Sequence, residues 1–110
     1  MNIAIIGTGY VGLVTGLCLA SRGHAVTCVD KDAEKVRRLA SGEPTIFEKG
    51  VPELLKRELG KHFSVTQDLA RAVAHAEAIM ICVDTPFDSA RGHINLRSVE
   101  TAAEQVGSVL

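Results

Sequence analysis

Three glycines at positions 7, 9 and 12, and a carboxylate at position 30, are the residues whose types and spacing point most directly to chemistry. A Gly-x-Gly-x-x-Gly turn that opens a helix brings backbone amides up to a phosphate, and the helix dipole favours the anion. An acid about 20 residues further on, at the end of the next strand, accepts hydrogen bonds from an adenosine ribose. Here the turn is Gly7-Thr8-Gly9-Tyr10-Val11-Gly12, and Asp30 is the acid. Gly7 suits the tight strand-to-helix turn, Gly9 lets the backbone reach a pyrophosphate, and Gly12 lets the helix pack close to the strand. The amides around Tyr10 and Val11 are expected to face the diphosphate. Because the Asp30 carboxylate would repel a 2′-phosphate, NAD is expected over NADP.

Other polar residues gather around this motif. Lys35 is the basic residue expected nearest the adenosine end, whereas Arg37 and Arg38 read as a solvated helix face. The segment Val83-Asp84-Thr85-Pro86 should reach the carboxyl edge of the sheet, where ligands of open α/β sheets collect. Thr85 offers a hydroxyl to a ribose or phosphate oxygen, and Pro86 stiffens the turn. Asp84 fits less easily, since an ionised carboxylate near a pyrophosphate costs binding energy unless it faces solvent or a base. Tyr10 reads equally as a cofactor contact or as packing. His24, His62, His75 and His93 are scattered without ligand spacing, so surface or structural roles are expected and no metal site.

The elements that must position these groups are legible from periodicity. Asn2 to Ile6 reads as a buried strand and Tyr10 to Arg22 as a helix, with Val11, Leu13, Val14, Leu17, Cys18 and Ala20 supplying a broad apolar surface. Ala25 to Val29 reads as the second strand, and Asp32 is expected to cap a helix running to about Ala40. A loop from Glu43 to Gly50 precedes a short helix started by Pro52 and carrying Leu54, Leu55 and Leu59. Phe63 to Thr66 is the third strand, Asp68 caps the next helix, and Ala78 to Val83 is the fourth strand. After a polar loop from Thr85 to His93, Asn95 is expected to cap a last helix with Val99, Ala102, Ala103 and Val106 inward.

This order implies an α/β, Rossmann-like parallel sheet with strands ordered 3-2-1-4. Such domains continue beyond a fourth strand. Residues 1–110 are therefore expected to form the N-terminal part of an incomplete NAD-binding domain, without substrate or C-terminal domains. One edge of the fourth strand is then expected to lack a partner, favouring self-association.

Composition narrows the class. The chain is 46% apolar with few aromatic residues, and 12 basic residues nearly balance 13 acidic ones. That balance supplies no general field for nucleic acid, and no apolar run approaches a membrane span. Cys18, Cys28 and Cys82 match no metal spacing and each lies in an apolar segment, which reads as reduced core thiols in a cytoplasmic protein.

Four stretches together resemble the N-terminal part of the UDP-glucose/GDP-mannose dehydrogenases. They are IAIIGTGYVGLVTGLCLA, RGHAVTCVDKDAEKVRRLASG, GEPTIFEKGVPELL and ICVDTPFDSARGHINL, in the family's order. The resemblance covers Met1 to about Gly107. It implies that Gly7, Gly9, Tyr10, Val11 and Gly12 form the pyrophosphate turn, that Asp30 and Lys35 meet the adenosine ribose, and that Thr85 lies at the cofactor. Glu48 matches a loop acid closer to the substrate side. It further implies a homo-oligomeric parent enzyme that oxidises a nucleotide sugar to its uronic acid with two NAD. The family's catalytic cysteine, lysine and aspartate lie in later segments, so no residue of this chain is expected to be catalytic and the segment alone to be inactive. The departures are Thr45, Lys49, Val51, Asp84 where the family has a small residue, and Asn95 where it has aspartate. Two rival readings are another NAD-dependent dehydrogenase, of the 6-phosphogluconate or 3-hydroxyacyl-CoA type, and a stand-alone non-catalytic dinucleotide-binding protein. The segments after residue 43 argue against the first.

Overall fold

Alternation along the first strand explains why it reads as a continuous apolar run. In the computed structural model, which describes residues 1–110, β1 spans Asn2–Ile6, and both of its faces are covered. Ile3 and Ile5 point into one core and Ala4 and Ile6 into another, as the two-residue side-chain period requires. Beside β1 lie β2 (Ala25–Val29) and β4 (Ala78–Ile81), and β3 (Phe63–Thr66) pairs with the far edge of β2. All pairings are parallel and the order is β3-β2-β1-β4, as expected from the sequence.

Helices divide between the two faces. The first core joins Leu13, Leu17 and Ala20 of α1 (Tyr10–Ser21) to Val51 and Leu55 of α3 (Val51–Glu58), against Ile3, Ile5, Val26, Cys28 and Phe63. Leu39 of α2 (Ala33–Ala40) joins the same cluster. On the other face, Ala72 and Val73 of α4 (Leu69–Ala74) meet Ala102 and Val106 of α5 (Arg97–Val109) over Ala4, Ile6 and Val29. Caps expected from local sequence are made. Asp32 accepts from the amides of Glu34 at 3.0 Å and Lys35 at 3.2 Å, and Asp68 accepts from Arg71 N at 3.1 Å. Buried Glu58 accepts from His62 Nδ1 at 2.8 Å and Arg57 Nε at 2.9 Å, which gives His62 a structural partner.

Several expectations need correction. The regular part of β4 ends at Ile81 rather than Val83, although Cys82 N still donates to Ile6 O at 2.8 Å. α3 stops at Glu58, because Leu59 turns to an extended conformation and becomes the C-cap. Asn95 does not cap α5: Leu96 holds that position, and Asn95 Oδ1 accepts from Arg97 N at 2.9 Å in a turn just outside the helix. Ala103 is exposed and Val99 only half-buried, since of these four residues only Ala102 and Val106 enter the core against the sheet and α4. Cys18 and Val11 likewise sit on the outer side of α1, so Cys18 is no core thiol, whereas Cys28 is buried. The loop from Thr85 to His93 contains an antiparallel pair, β5 (Phe87–Asp88) with β6 (His93–Ile94), that periodicity had not revealed.

Deeper along α1, Gly16 makes a close contact with side chains of the sheet. A Cβ there would stand 3.0 Å from Cys28 Sγ, 3.2 Å from Ile5 Cδ1 and 3.3 Å from Phe63 Cε2. Gly16→Ala is therefore expected to destabilise the fold by about 1–3 kcal/mol through overpacking. Gly107→Ala, at a helical site with nothing within 4 Å, should stabilise by up to about 1 kcal/mol. Thermal melts of the two variants check this. Equal shifts would show that helix propensity, and not the α1–sheet spacing, governs both.

Candidate functional site

At the carboxyl ends of β1, β2 and β4 the sheet opens into a cleft of about 500 Å³. Gly7, Thr8 and Gly9 form its floor, Asp30 and Lys35 one wall, and Asp84 and the first turns of α5 the other. Gly7 must be glycine on two counts: its φ is +109°, and a Cβ would lie 2.5 Å from Cys82 O. Its amide donates to Val29 O at 2.7 Å, carrying the ladder into the turn. A Cβ on Gly12 would collide with the Gly7 carbonyl oxygen, so this position sets how closely α1 approaches the end of β1. Gly9 is different. A Cβ there would meet only Asp84 Oδ1, at 3.6 Å, so the missing side chain leaves the backbone open to the cleft.

Gly9 is the N-cap of α1 and no side chain caps the helix; Leu13 N makes the first intrahelical bond, to Gly9 O at 3.0 Å. The amides of Tyr10, Val11 and Gly12 are therefore left for an anion. The side chains of Tyr10 and Val11 are more than half exposed. Glu48 sits beside the Tyr10 hydroxyl, and hydrogen bonding to it together with its charge holds the phenol above its ordinary pKa. Sequence reading had not joined these two residues, because the loop that carries Glu48 returns to α1 only through the packing of α3 against it.

Asp30 is held on the opposite side of the turn. Its Oδ2 accepts from Thr8 N at 3.0 Å and from Thr8 Oγ1 at 2.6 Å, and its Oδ1 accepts from Asp32 N at 2.9 Å. Partial burial pushes this carboxyl up, but those hydrogen bonds and the nearby Lys35 charge outweigh burial and hold it below the ordinary carboxylate range. A group held low in this way adds stability at neutral pH that is lost as pH falls through its lowered value. Arg37 pairs with Glu34 on the solvated face expected of it, whereas Arg38 is half-buried, pairing with Glu43 at 3.0 Å and donating to Pro44 O at 3.4 Å, so it ties α2 to the following loop. Lys35 remains on the cleft wall. Thr85 is exposed just beyond Asp84 and is not part of that wall.

The cysteines do not gather in the cleft as reactive thiols. Burial pushes Cys28 up to about 12, and burial also raises Cys82, which lines the cleft floor. Both are thus held in the thiol form at neutral pH. Cys18 is exposed on the outer side of α1. His24 lies 3.3 Å from the N-terminal amine and His93 Nδ1 lies 3.1 Å from Ile94 O.

The whole of residues 1–110 matches the model for the NAD binding domain of the UDP-glucose/GDP-mannose dehydrogenase family. The chain belongs to that family. UDP-glucose 6-dehydrogenase of Rhizobium meliloti is 41% identical to it over 111 residues, covering 100% of this chain and 25% of that protein. The crystal structure of GDP-mannose dehydrogenase from Pseudomonas aeruginosa, a ternary complex, superposes with a TM-score of 0.94 at 35% identity, covering 99% of this chain and 25% of that one. UDP-glucose dehydrogenase from Pyrobaculum islandicum gives 0.89 at 39% identity, over 96% of this chain and 24% of its own. The chain thus spans about a quarter of the length of the relatives it matches. NAD is the cofactor of this family domain, and it is the family match over the whole chain that sets aside the rival dehydrogenase types. The glycine turn fits that group: the floor is cleared at Gly9, and the first amides of α1 have no other cap.

Asp84 is the one acid set against the cleared floor. Replacing it by asparagine keeps its shape and removes its charge. Asp84→Asn is expected to tighten NAD binding about two- to fivefold at low ionic strength, with the gain shrinking as salt screens it. Isothermal titration at two salt concentrations checks this. Weaker binding would mean that Asp84 accepts a hydrogen bond from the cofactor.

Proposed function

We propose that this chain is the cofactor-holding part of a nucleotide-sugar 6-dehydrogenase. The whole enzyme would oxidise UDP-glucose, or a related UDP- or GDP-sugar, at its primary alcohol. The balance is one alcohol, two NAD⁺ and one water giving one carboxylate, two NADH and three protons. What carries the reading is the meeting, in one cleft, of an uncapped helix N-terminus and a fixed carboxylate at the end of the next strand, in a member of this family.

The roles follow from charge and placement. Gly7 and Gly12 shape the turn, and the backbone of Gly9, Tyr10 and Val11 takes the pyrophosphate at the positive end of α1. Asp30 accepts from the adenosine ribose and Lys35 offsets charge beside it. Thr85, exposed just beyond Asp84 and outside the cleft wall, offers its hydroxyl to the cofactor where β4 gives way to its loop. When bound, NAD supplies the hydride acceptor; this chain binds and orients it. The thiolate and acid–base groups for the sugar reside in other parts of the enzyme, because Cys28 and Cys82 are held as thiols. The isolated chain is therefore inactive, and the whole enzyme is a cytoplasmic homo-oligomer. Unbridged Cys18, Cys28 and Cys82 accord with a reducing compartment. No helix is long and apolar enough to cross a membrane.

Calorimetric titration with NAD and with NADP tests the cofactor roles. Saturable binding of NAD, at least about tenfold tighter than NADP, is expected, with the gap narrowing in Asp30→Gly. Equal affinity for the two cofactors would remove Asp30 from its role at the ribose. No binding to the folded chain would sink the reading.

A further inference from the structure

The Asp30 carboxylate is not the free acceptor that its place in the sequence suggests. A carboxylate offers about four lone-pair directions, two on each oxygen. Oδ2 already receives two donors, Thr8 N and Thr8 Oγ1, and Oδ1 receives one, Asp32 N. One acceptor direction remains, on Oδ1. The hydroxyl bond at 2.6 Å is the shorter of the two from Thr8, and Thr8 is 1% exposed, so water does not compete for it. Thr8 lies between the first two glycines of the turn. Its side chain therefore ties the phosphate floor directly to the wall that selects the ribose.

We infer that Thr8 is a positioning residue for cofactor choice: its hydroxyl commits Oδ2 of Asp30 to the turn and presents Oδ1 alone to the adenosine ribose. This rests on the NAD-binding reading above. In consequence, Asp30 takes one ribose hydroxyl and not both, and the ribose wall moves with the glycine turn as a single body. Thr8 touches the cofactor-binding group and not the reacting atoms.

The inference has a pH signature. The other charged or titratable groups around Asp30 are Cys28 of β2, Lys31 and Asp32 of the following turn, Lys35 of α2, Asp84 beyond β4 and Arg97 of α5. Lys35 and the Asp32 amide also favour the ionised form, so removing the Thr8 hydroxyl shifts Asp30 without abolishing its ionisation. A carboxyl that has lost this donor protonates at higher pH, and affinity for NAD then falls away earlier as the solution is acidified.

The experiment measures NAD affinity from pH 7 downward for the wild type, Thr8→Val and Thr8→Ser, and follows the Asp30 carboxyl carbon by NMR in the wild type. Thr8→Val is expected to bind NAD about two- to tenfold more weakly at neutral pH, the scale of re-ordering on binding one side chain that Thr8 no longer holds in place. Its affinity should begin to decline at a higher pH than that of the wild type. Thr8→Ser, which keeps the hydroxyl, should restore both. A Thr8→Val profile that overlays the wild type, or a serine variant as impaired as the valine one, overturns the inference while leaving NAD binding intact. Should the valine variant not fold, Thr8→Ala takes its place against Thr8→Ser, and a wild-type carboxyl titrating at or above the ordinary aspartate range overturns the inference. Absence of NAD binding to the folded wild type would instead overturn the cofactor reading and this inference with it.

Discussion

The structure depends on one close approach, that of Gly12 to the carbonyl of Gly7. No side chain fits between the start of α1 and the end of β1, so the helix enters the sheet layer with its first amides directly over the strand terminus. That single constraint places the positive end of the helix at the carboxyl edge. Gly7 also passes beneath the Cys82 carbonyl, where the pairing of β4 with β1 brings β4 and its trailing segment to the same spot. Phosphate-binding geometry is thus a by-product of how tightly one helix packs on one strand.

Around that contact, the sheet works as a rigid carrier. Ile3 and Ile5 hold one core while Ala4 and Ile6 hold the other, so β1 cannot slide without exposing both. Because β1 is central and fixed, the residues just past the strand ends inherit its precision. Asp30 follows β2, and Asp84 follows β4. Gly16 extends the close spacing a turn deeper, against Cys28 and Phe63. Packing on the α1 face and the shape of the cofactor cleft are therefore one problem, and substitutions far from the cleft will be felt in it.

Features that depend on a few neighbouring residues were legible in the chain alone. The caps at Asp32 and Asp68 involve amides two or three positions away, and the strand order follows from the handedness of short crossovers. Asn95 looked equally suited to cap α5, but its side chain closes a turn one residue too early. Helical periodicity could not separate Ala102 from Ala103, because both are small and only the neighbours α4 and β4 decide which is covered. The β5–β6 pair is too short for alternation to register, and its register rests on Phe87 meeting Ile94.

The amino-acid sequence by itself determined the βαβ plan, the glycine turn, the acid at the second strand end and the family, since each is written in residue type and short spacing. The tertiary structure alone decided what those groups have left to offer. It filled three of the acceptor directions of Asp30 with Thr8 and Asp32, set Asp84 against the open backbone of Gly9, and laid Glu48 beside Tyr10. The physical reason is that hydrogen-bond capacity and local field depend on distance in space. Thr8 and Asp30 are 22 positions apart along the chain, yet 2.6 Å apart in the fold.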